Sequence, residues 1–484
     1  MLRIYPWLIL ITAAMSVIFL GGKRRAFGIF VAKLHSEFNQ TSLAELNWIG
    51  DSYAAVGYLS TTLTTSVILT SGRWYGLSQF FGACFVLLAC ITSAFVPNPH
   101  WLFLTHTLFH GIGSSLVLST SGLVVNEHFD KNHDYHILAT TLVSGGSVAS
   151  ILFVELYAIL IDYHGWRLAF IVLGVLYFFV LLLGAFVFRK DSTKSDYQNN
   201  KTDGCIRLHM HWQQRILLIL WTVDRIITSI VTYGMLLNLA DYMYRHESSL
   251  QKSVLLTNLF AAGEATTYLI GASLTALTKD FLKNRLKYIL IGTSIGMAFG
   301  LITWEFVAFS HSLSSFLSYA TGFCLGPSVT FLFPAGEEMT LLPGHLAYPF
   351  SLGGMGIGMA LSPILSAFIA QTFKYRWFFL VQGIIVIIKC VCLICSWMIL
   401  KNLTKSDMFI VETESIHEES KISTGKCDTT SCGSQVNHKI YDNLSPEIFS
   451  STSSETEYLI SPITQKRPVS KVSSLISVTS NLKD

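Results

Sequence analysis

The chain has 484 residues, of which 51% are hydrophobic and 13% are charged, and its formal net charge is +3. A soluble chain of this length would carry about 25% charged residues, so the composition excludes an ordinary soluble protein and indicates a membrane protein. The sequence contains no phosphate-binding loop, zinc-ligand spacing or hydrolase nucleophile motif. It therefore predicts neither an enzyme nor an ATP-driven pump, and no cofactor, metal or nucleic-acid partner.

Twelve apolar stretches follow one another over the first 400 residues, and each is long enough to cross a hydrocarbon layer of about 30 Å as a helix. In chain order, the predicted spans are 6–32, 47–70, 78–97, 101–126, 137–162, 166–188, 215–240, 251–278, 286–309, 312–335, 344–372 and 376–400. Strands of a transmembrane barrel would be about ten residues long and would alternate in polarity, a pattern that these stretches do not show. The sequence thus predicts an all-α membrane protein with twelve transmembrane helices.

Five residues of the first half of the chain recur 209 positions later. The pairs are Gly113 and Gly322, Gly145 and Gly354, Arg167 and Arg376, Phe170 and Phe379, and Gly174 and Gly383. A parallel repeat within a chain this apolar indicates two similar halves. We therefore expect two pseudo-symmetric halves of six helices each, with the repeated Arg as a structural anchor before the last helix of each half.

The spans group into an N-terminal half at 1–188 and a C-terminal half at 215–400, joined by a polar, basic segment at 189–214. Residues 401–484 are predicted to form a disordered cytoplasmic tail, because they offer too little apolar surface to fold alone. Lys and Arg are more frequent in the loops on the side of the joining segment, which predicts that both termini are cytoplasmic. The sequon at Asn39 would then face outward, where it could carry a glycan.

Short motifs in the first half point to a known family. They are Phe27-Gly28-Ile29-Phe30, Trp48-Ile49-Gly50, His128-Phe129-Asp130-Lys131 and Tyr163-His164-Gly165-Trp166-Arg167. On these motifs the chain resembles the monocarboxylate transporters of the major facilitator superfamily, well over residues 5–188 and more loosely over 215–400. The resemblance implies the two-halved major facilitator fold, a plasma-membrane location and, as is common in that family, a single-span accessory membrane protein. The family's opening motif is reduced here to Ile4-Tyr5-Pro6-Trp7, so this is a divergent member.

The resemblance also assigns the charged residues of the transport site. Proton-coupled members of the family use a Lys in the first span and an Asp and an Arg, four residues apart, in the eighth. Alignment of the Phe27-Gly28 motif places Arg25 at the position of that Lys. Alignment of Gly263 places Thr266 and Ile270 at the positions of the Asp and the Arg, so the cation is retained while the coupled pair is absent.

Arg25 is the predicted substrate-binding residue, because a guanidinium within a span can hold a carboxylate through paired hydrogen bonds. The alternative interpretation is that Lys23, Arg24 and Arg25 end the first helix and extend to the membrane surface. Asp51, near the start of the second span, is also expected at the surface.

Three further charged residues are candidates for balancing charge or carrying a proton, since a charge buried in a membrane is seldom retained without a role. Glu264 lies in the eighth span, and Asp224 and Arg225 lie about ten residues into the seventh. Because neighbours on a helix point about 100° apart, Asp224 and Arg225 are not expected to form a self-contained pair. Glu155 and Lys389 are weaker candidates, and for every one of these residues a structural role is the alternative.

Glycine and proline mark the predicted moving parts. Gly145 and Gly146 open the fifth span, and Gly353 and Gly354 lie in the eleventh, where close packing or rocking of helices would need small residues. Pro327 and Pro334 are predicted to kink the tenth span near the middle of the membrane, where a broken helix can line a cavity.

The sequence as a whole predicts a secondary active or facilitative transporter of small organic anions, with monocarboxylates favoured, that works by alternating access in the lipid bilayer. A co-transported proton is one form of this prediction. Without the eighth-span pair, a facilitator of another organic solute, such as an aromatic or zwitterionic one, is nearly as well supported. A non-transporting membrane sensor with the same scaffold is the alternative from another class.

Overall fold

The computed structural model describes residues 4–38, 41, 43–149, 152–189, 211–245, 250–278, 281–307, 310–372 and 377–403. Within these ranges there is no strand. The helices are α1 (Tyr5–Glu37), α2 (Leu43–Thr70), α3 (Tyr75–Ala94), α4 (Gly111–His128), α5 (His136–Ser144), α6 (Gly146–Ala149), α7 (Leu152–Val187), α8 (Trp212–Arg245), α9 (Leu250–Leu277), α10 (Leu286–Val307), α11 (His311–Thr330), α12 (Leu332–Thr340), α13 (Gly344–Thr372) and α14 (Phe378–Leu403). A 3-10 turn at Pro99–Trp101 and a π-helical segment at Phe103–His110 precede α4. Asn39, Arg376 and most of the predicted joining segment and tail lie outside the described residues.

The all-helical architecture agrees with the predicted fold class. Eight helices of the described chain are long and apolar enough to cross a membrane, and α11 with α12 makes a ninth if the bent pair is one span. The predicted spans 47–70, 137–162 and 251–278 are largely helical but fall outside this set. The predicted count of twelve is therefore not confirmed by length and apolar composition.

Residues of the 209-residue repeat lie at equivalent helix contacts in the two halves. Gly174 and Gly383 lie where α7 and α14 pack against α3 and α10. A methyl group added at Gly174 would collide with Cys90 of α3, and one added at Gly383 would lie 2.7 Å from Ile302 of α10. Both halves therefore use a glycine at the same place to let two equivalent helices approach closely.

The corner within α7 is stabilised by the repeated Arg of the first half. Gly165 has a φ of 76°, a left-handed conformation that suits glycine, and it separates the residues of the predicted fifth and sixth spans. On its far side, Arg167 Nη2 lies 3.1 Å from Glu37 Oε1, and the indole N–H of Trp166 donates to the same carboxylate. These contacts attach the end of α1 to the start of the next helical stretch, as expected for a structural anchor.

The predicted bend in the tenth span is present: α11 and α12 meet at an angle of 64°. Pro334 has no N–H, so the carbonyl of Thr330 loses its usual donor four residues ahead, and Pro327 does the same to the carbonyl of Phe323. Side chains replace both donors. Ser144 Oγ donates to Thr330 O at 2.6 Å, and Thr267 Oγ1 donates to Phe323 O at 2.9 Å.

The two halves meet through close helix contacts. The predicted packing glycines lie at or beside these contacts. A methyl group at Gly145 would collide with the Tyr268 ring of α9, and one at Gly353 would lie 3.4 Å from Thr62 Oγ1 of α2. Gly146 and Gly354 instead pack within their own halves, where the nearest side-chain atoms belong to Val17 at 3.3 Å and Arg225 at 3.0 Å.

Candidate functional site

The basic run in the first span lies inside the membrane bundle. Helix α1 continues to Glu37, and Lys23 is only 1% exposed. The expectation that this run ends the helix at the membrane surface is therefore wrong for Lys23, and Arg24 is also turned inward. The backbone of Arg25 is helical, but its side chain lies outside the described set, so the sequence-predicted role of Arg25 remains a prediction.

Arg24 joins the two halves. Its Nη1 donates a hydrogen bond to Tyr58 Oη of α2 at 2.7 Å. The guanidinium carbon lies 5.7 Å from the centre of the Tyr58 ring and 5.4 Å from the centre of the Tyr233 ring of α8. Cation–π contacts of this kind are favourable where water is excluded. Arg24 thus occupies the place, between the halves, where the sequence had placed the function of Arg25.

A small cavity lies beside this guanidinium. Arg24, Tyr53, Tyr58 and Ser114 contribute polar groups to its wall, and Val17, Leu20 and Leu118 contribute apolar ones; its volume is about 30 Å³. That space suits one or two water molecules, whereas pockets that hold organic ligands usually measure about 300–1,000 Å³. In this conformation the Arg24 site is therefore closed around its own side chains.

Asp51 also lies in the interior, although the sequence predicted it at the surface. Helix α2 begins at Leu43, so Asp51 is two turns inside it rather than at its start. Its Oδ2 is buried and has no hydrogen-bond partner among the described residues, and its charge interacts with that of Arg24. A carboxyl group near a cation, with one oxygen free of hydrogen bonds, can exchange a proton. The sequence did contain a signal for this interior position, namely an acidic residue within the apolar stretch 47–70.

Lys23 faces a second polar cluster, inside the N-terminal half. Its Nζ donates to Cys90 Sγ at 3.2 Å and lies 5.3 Å from the centre of the Phe170 ring. His106 and His110, both buried, lie close by on the π-helical segment, with ring centres 5.4 Å apart. Neither ring nitrogen of His106 has a hydrogen-bond partner in the part of the chain that the structure describes. The four-residue spacing of the two histidines was a signal that sequence reasoning missed.

Asp224 and Arg225 form a direct ion pair, contrary to the expectation from their helical positions. The Nε of Arg225 donates to Asp224 Oδ2 at 2.6 Å, its Nη2 contacts the same oxygen, and both side chains are buried. The 100° angle between neighbours applies to their Cβ atoms, and the long Arg side chain folds back across it. Asp224 is therefore already neutralised by its neighbour.

This pair belongs to a buried cationic cluster in the C-terminal half. Arg225 Nη1 donates to the carbonyl of Ser328 at 2.6 Å, and Lys389 Nζ donates to Ser328 Oγ at 2.8 Å. The three residues attach α8 and α14 to α11 just before its bend. Glu264 is fully buried on α9, while Ile270, at the family's Arg position, is 51% exposed.

A further ion pair joins the halves at one end of the bundle. His136 Nε2 lies 2.6 Å from Glu337 Oε2, and His136 Nδ1 lies 2.7 Å from the carbonyl oxygen of Phe129. His136 begins α5, and Glu337 lies in α12 beyond the bend. Nothing in either local sequence indicated this pair, because 201 residues separate its members.

The sequence is similar to known transport proteins. The family model of the Major Facilitator Superfamily matches residues 9–339. Monocarboxylate transporter 9 of Gallus gallus is 23% identical over 192 residues, which cover 40% of this chain and 37% of that protein. Monocarboxylate transporter 6 of Homo sapiens is 25% identical over 185 residues, which cover 38% of this chain and 35% of that protein. The chain thus matches little more than a third of the length of these relatives.

Among solved structures, the proton:xylose symporter XylE, bound to 6-bromo-6-deoxy-D-glucose, aligns with a TM-score of 0.55 and 15% identity. The alignment covers 80% of this chain and 94% of the symporter. At this identity the likeness concerns the fold alone. Apolar spanning helices with charged groups buried among them are typical of a multi-pass membrane protein, and the family match places the chain among transporters. The chain belongs to the major facilitator superfamily.

Proposed function

We propose that the protein transports small organic anions, with monocarboxylates favoured, by alternating access around Arg24. The observation that carries this proposal is the position of the Arg24 guanidinium, which contacts Tyr58 of one half and Tyr233 of the other. A guanidinium has five N–H donors, and the hydrogen bond given to Tyr58 uses one of them. Donors remain for a substrate carboxylate, and the weak similarity to monocarboxylate transporters supports the same substrate class.

The surroundings of Arg24 suit a small amphiphilic anion. Val17, Leu20 and Leu118 offer apolar surface for a short organic chain, while Tyr53 and Ser114 offer hydroxyl groups. The closed cavity of about 30 Å³ must widen before an organic acid can enter. Widening would separate Tyr58 from Tyr233, which ties substrate entry to movement of the two halves.

Proton coupling is the second part of the proposal. Asp51 and an arriving carboxylate would compete for the charge of Arg24. Once the substrate occupies the guanidinium, the free Asp51 carboxylate would bind a proton, so anion and proton would move together. Glu264 and Asp224 remain candidates for the same role, although Asp224 is paired with Arg225 in this conformation.

The experiment is uptake into liposomes by the purified protein, with a panel of monocarboxylates and aromatic amino acids at two pH values. We expect carboxylate uptake that increases when the outside is acidic. Uptake without pH dependence would support the facilitator, and no flux for any solute would support the non-transporting sensor.

Paired variants then distinguish the role of Arg24 from that of Arg25. Arg24→Gln should reduce uptake about 10- to 100-fold, of the order expected for a lost charge-assisted hydrogen bond in a buried site, and Arg24→Lys should restore part of it. Arg25→Gln is the matched control with the same loss of charge one residue away. If only Arg25→Gln abolishes uptake, Arg25 is the binding residue, as the family resemblance implies.

Four further features predicted from the sequence are proposed together with this function. They are the plasma-membrane location, cytoplasmic termini, a glycan at Asn39 and a single-span accessory partner. The major facilitator fold is one of transporters rather than enzymes, and we infer that this chain has no enzymatic activity.

A further inference from the structure

A cavity larger than the one beside Arg24 lies elsewhere in the described part of the chain and has a volume of about 910 Å³. Its wall combines the turn before α5 in the N-terminal half with the turn before α10 and the ends of α12 and α14 in the C-terminal half. We propose that this cavity binds a multiply charged phosphate anion, such as the head group of a phosphorylated inositol lipid or a free inositol phosphate, and that the bound anion holds the two halves together.

The wall of the cavity is rich in cations. Four lysines line it, accompanied by two histidines: Lys131, Lys283, Lys287, Lys401, His133 and His136. The concave shape and the low-dielectric helices around it focus the field of these charges. Lysine binds phosphate as a flexible point charge, so a ring of lysines suits a ligand with several phosphate oxygens.

The carboxylates of the same wall already have partners. Glu337 pairs with His136. Glu338 accepts the backbone N–H groups of Leu286 and Lys287, each at 3.3 Å, and lies 3.7 Å from Lys287 Nζ. The third acid, Asp134, also has a partner. Glu337 and Glu338 are therefore engaged by a histidine, a lysine and backbone N–H groups, and with four lysines against three acids the excess charge of the wall is positive.

Two of these lysines, one from each half, contribute to the excess positive charge of the cavity wall. Lys131 follows α4 and Lys283 precedes α10, and both are exposed. Within the ranges that the structure describes, neither makes an ion pair. A monovalent anion could neutralise one of them, whereas a polyphosphate could contact both and so bridge the halves beside the His136–Glu337 pair.

The position of the cavity fits a ligand at the level of the lipid head groups. Helix α10 begins at Leu286 and α14 ends at Leu403, so the cavity lies at helix ends rather than at the middle of the bundle. Tyr288 and Trp397 line it with ring centres 6.2 Å apart. Tyr and Trp collect at the membrane–water boundary, and basic pockets between helix ends there bind phosphorylated head groups.

The test is direct binding to the purified full-length protein in nanodiscs, and it does not depend on transport. The probes are inositol 1,4,5-trisphosphate in solution, phosphatidylinositol 4,5-bisphosphate in the bilayer, and inorganic phosphate. We expect at least one of the two polyphosphates to raise the thermal midpoint, and we expect the double variant Lys131→Gln and Lys283→Gln to bind it roughly 10- to 30-fold more weakly. Binding of the lipid alone identifies a lipid site, and binding of the soluble trisphosphate identifies an accessible site for a free anion.

Arg285→Gln is the matched control, because Arg285 is an exposed cation two residues from Lys283 that packs on Phe281 and does not line the cavity. It should leave binding unchanged. The proposal is overturned if neither polyphosphate binds, if inorganic phosphate binds as tightly as both, or if Arg285→Gln weakens binding as much as the double variant does. Because the readout is binding, this failure is distinct from failure of the transport assay around Arg24.

Discussion

Ser144 of the N-terminal half donates a hydrogen bond to the backbone carbonyl of Thr330 in the C-terminal half, at 2.6 Å. Pro334 has removed the normal helical donor to that carbonyl, so the side chain of one half completes the backbone of the other. The bend between α11 and α12 is thus supported from outside its own helix.

Ser144→Ala should therefore destabilise the protein more than an ordinary serine deletion. It leaves the carbonyl of Thr330 buried without a donor, which costs about 1–3 kcal/mol. The measurement is the thermal midpoint in detergent. Ser66→Ala is the control, because Ser66 is exposed and bonds only within its own helix, to Thr62. Equal midpoints for the two variants would show that the contact between the halves does not contribute to the stability of the protein.

The His136–Glu337 pair should make stability depend on pH. His136 lies one residue before the predicted span 137–162. Burial lowers the pKa of His136, but the hydrogen bond and the charge of Glu337 raise it more, and the net shift is upward from the usual 6.5. A raised pKa in the folded state means that the stabilisation is fully present below about pH 6.5 and is lost as the pH rises through the folded value.

We therefore expect the thermal midpoint of the unmodified protein to fall as the pH rises above about 6.5, and His136→Asn to remove most of that fall. His133→Asn is the control, since His133 is exposed, lies in the same turn and shows no bond to Glu337 among the described residues. A profile for His136→Asn that runs parallel to that of the unmodified protein would contradict the pair as its source.

Asp51→Asn should separate binding from proton coupling. The amide keeps the shape of the side chain but cannot take up a proton at physiological pH. We expect uptake driven by a pH gradient to fall at least tenfold while exchange of labelled for unlabelled substrate continues. Asp224→Asn provides the comparison with the second candidate. Gradient-driven uptake that survives in Asp51→Asn and fails in Asp224→Asn would move the proton site to the C-terminal half.

Two glycines should respond to alanine in opposite directions. Gly145→Ala places a methyl group against the Tyr268 ring across the two halves, and overpacking of this kind costs about 1–3 kcal/mol. Gly292→Ala lies in α10 with open space around the added methyl group. It should stabilise the helix by about 0.5–1 kcal/mol, because alanine has the higher helix propensity. Thermal midpoints test both variants, and a stabilised Gly145→Ala would contradict the contact.

Sequence reasoning predicted the features that depend on local composition. An apolar stretch forms a helix, and the missing N–H of Pro334 bends one, through neighbours along the chain. The small size of Gly174 matters because the same helix packing is repeated in the second half. The helices, the bend and the equivalent positions of the two halves could therefore be anticipated.

The side chains that face the site could not be chosen in the same way. Lys23, Arg24 and Arg25 point about 100° apart in turn, so a shift of one residue in the alignment selects a different face of α1. The interior location of Asp51 depends on the start of α2 at Leu43, and the His136–Glu337 pair depends on two segments far apart in the chain. These features are set by tertiary packing, which the local pattern does not contain.

The two aromatic contacts of Arg24 have a consequence for selectivity. One guanidinium faces a ring of each half, so a ligand that takes up its charge also weakens the attraction that those rings exert on it. A neutral analogue of the same size would fill space without competing for that charge, and it would leave the halves attached to each other. For the function proposed above, charge would therefore decide which solutes start the transport cycle, and size would decide only which of them fit.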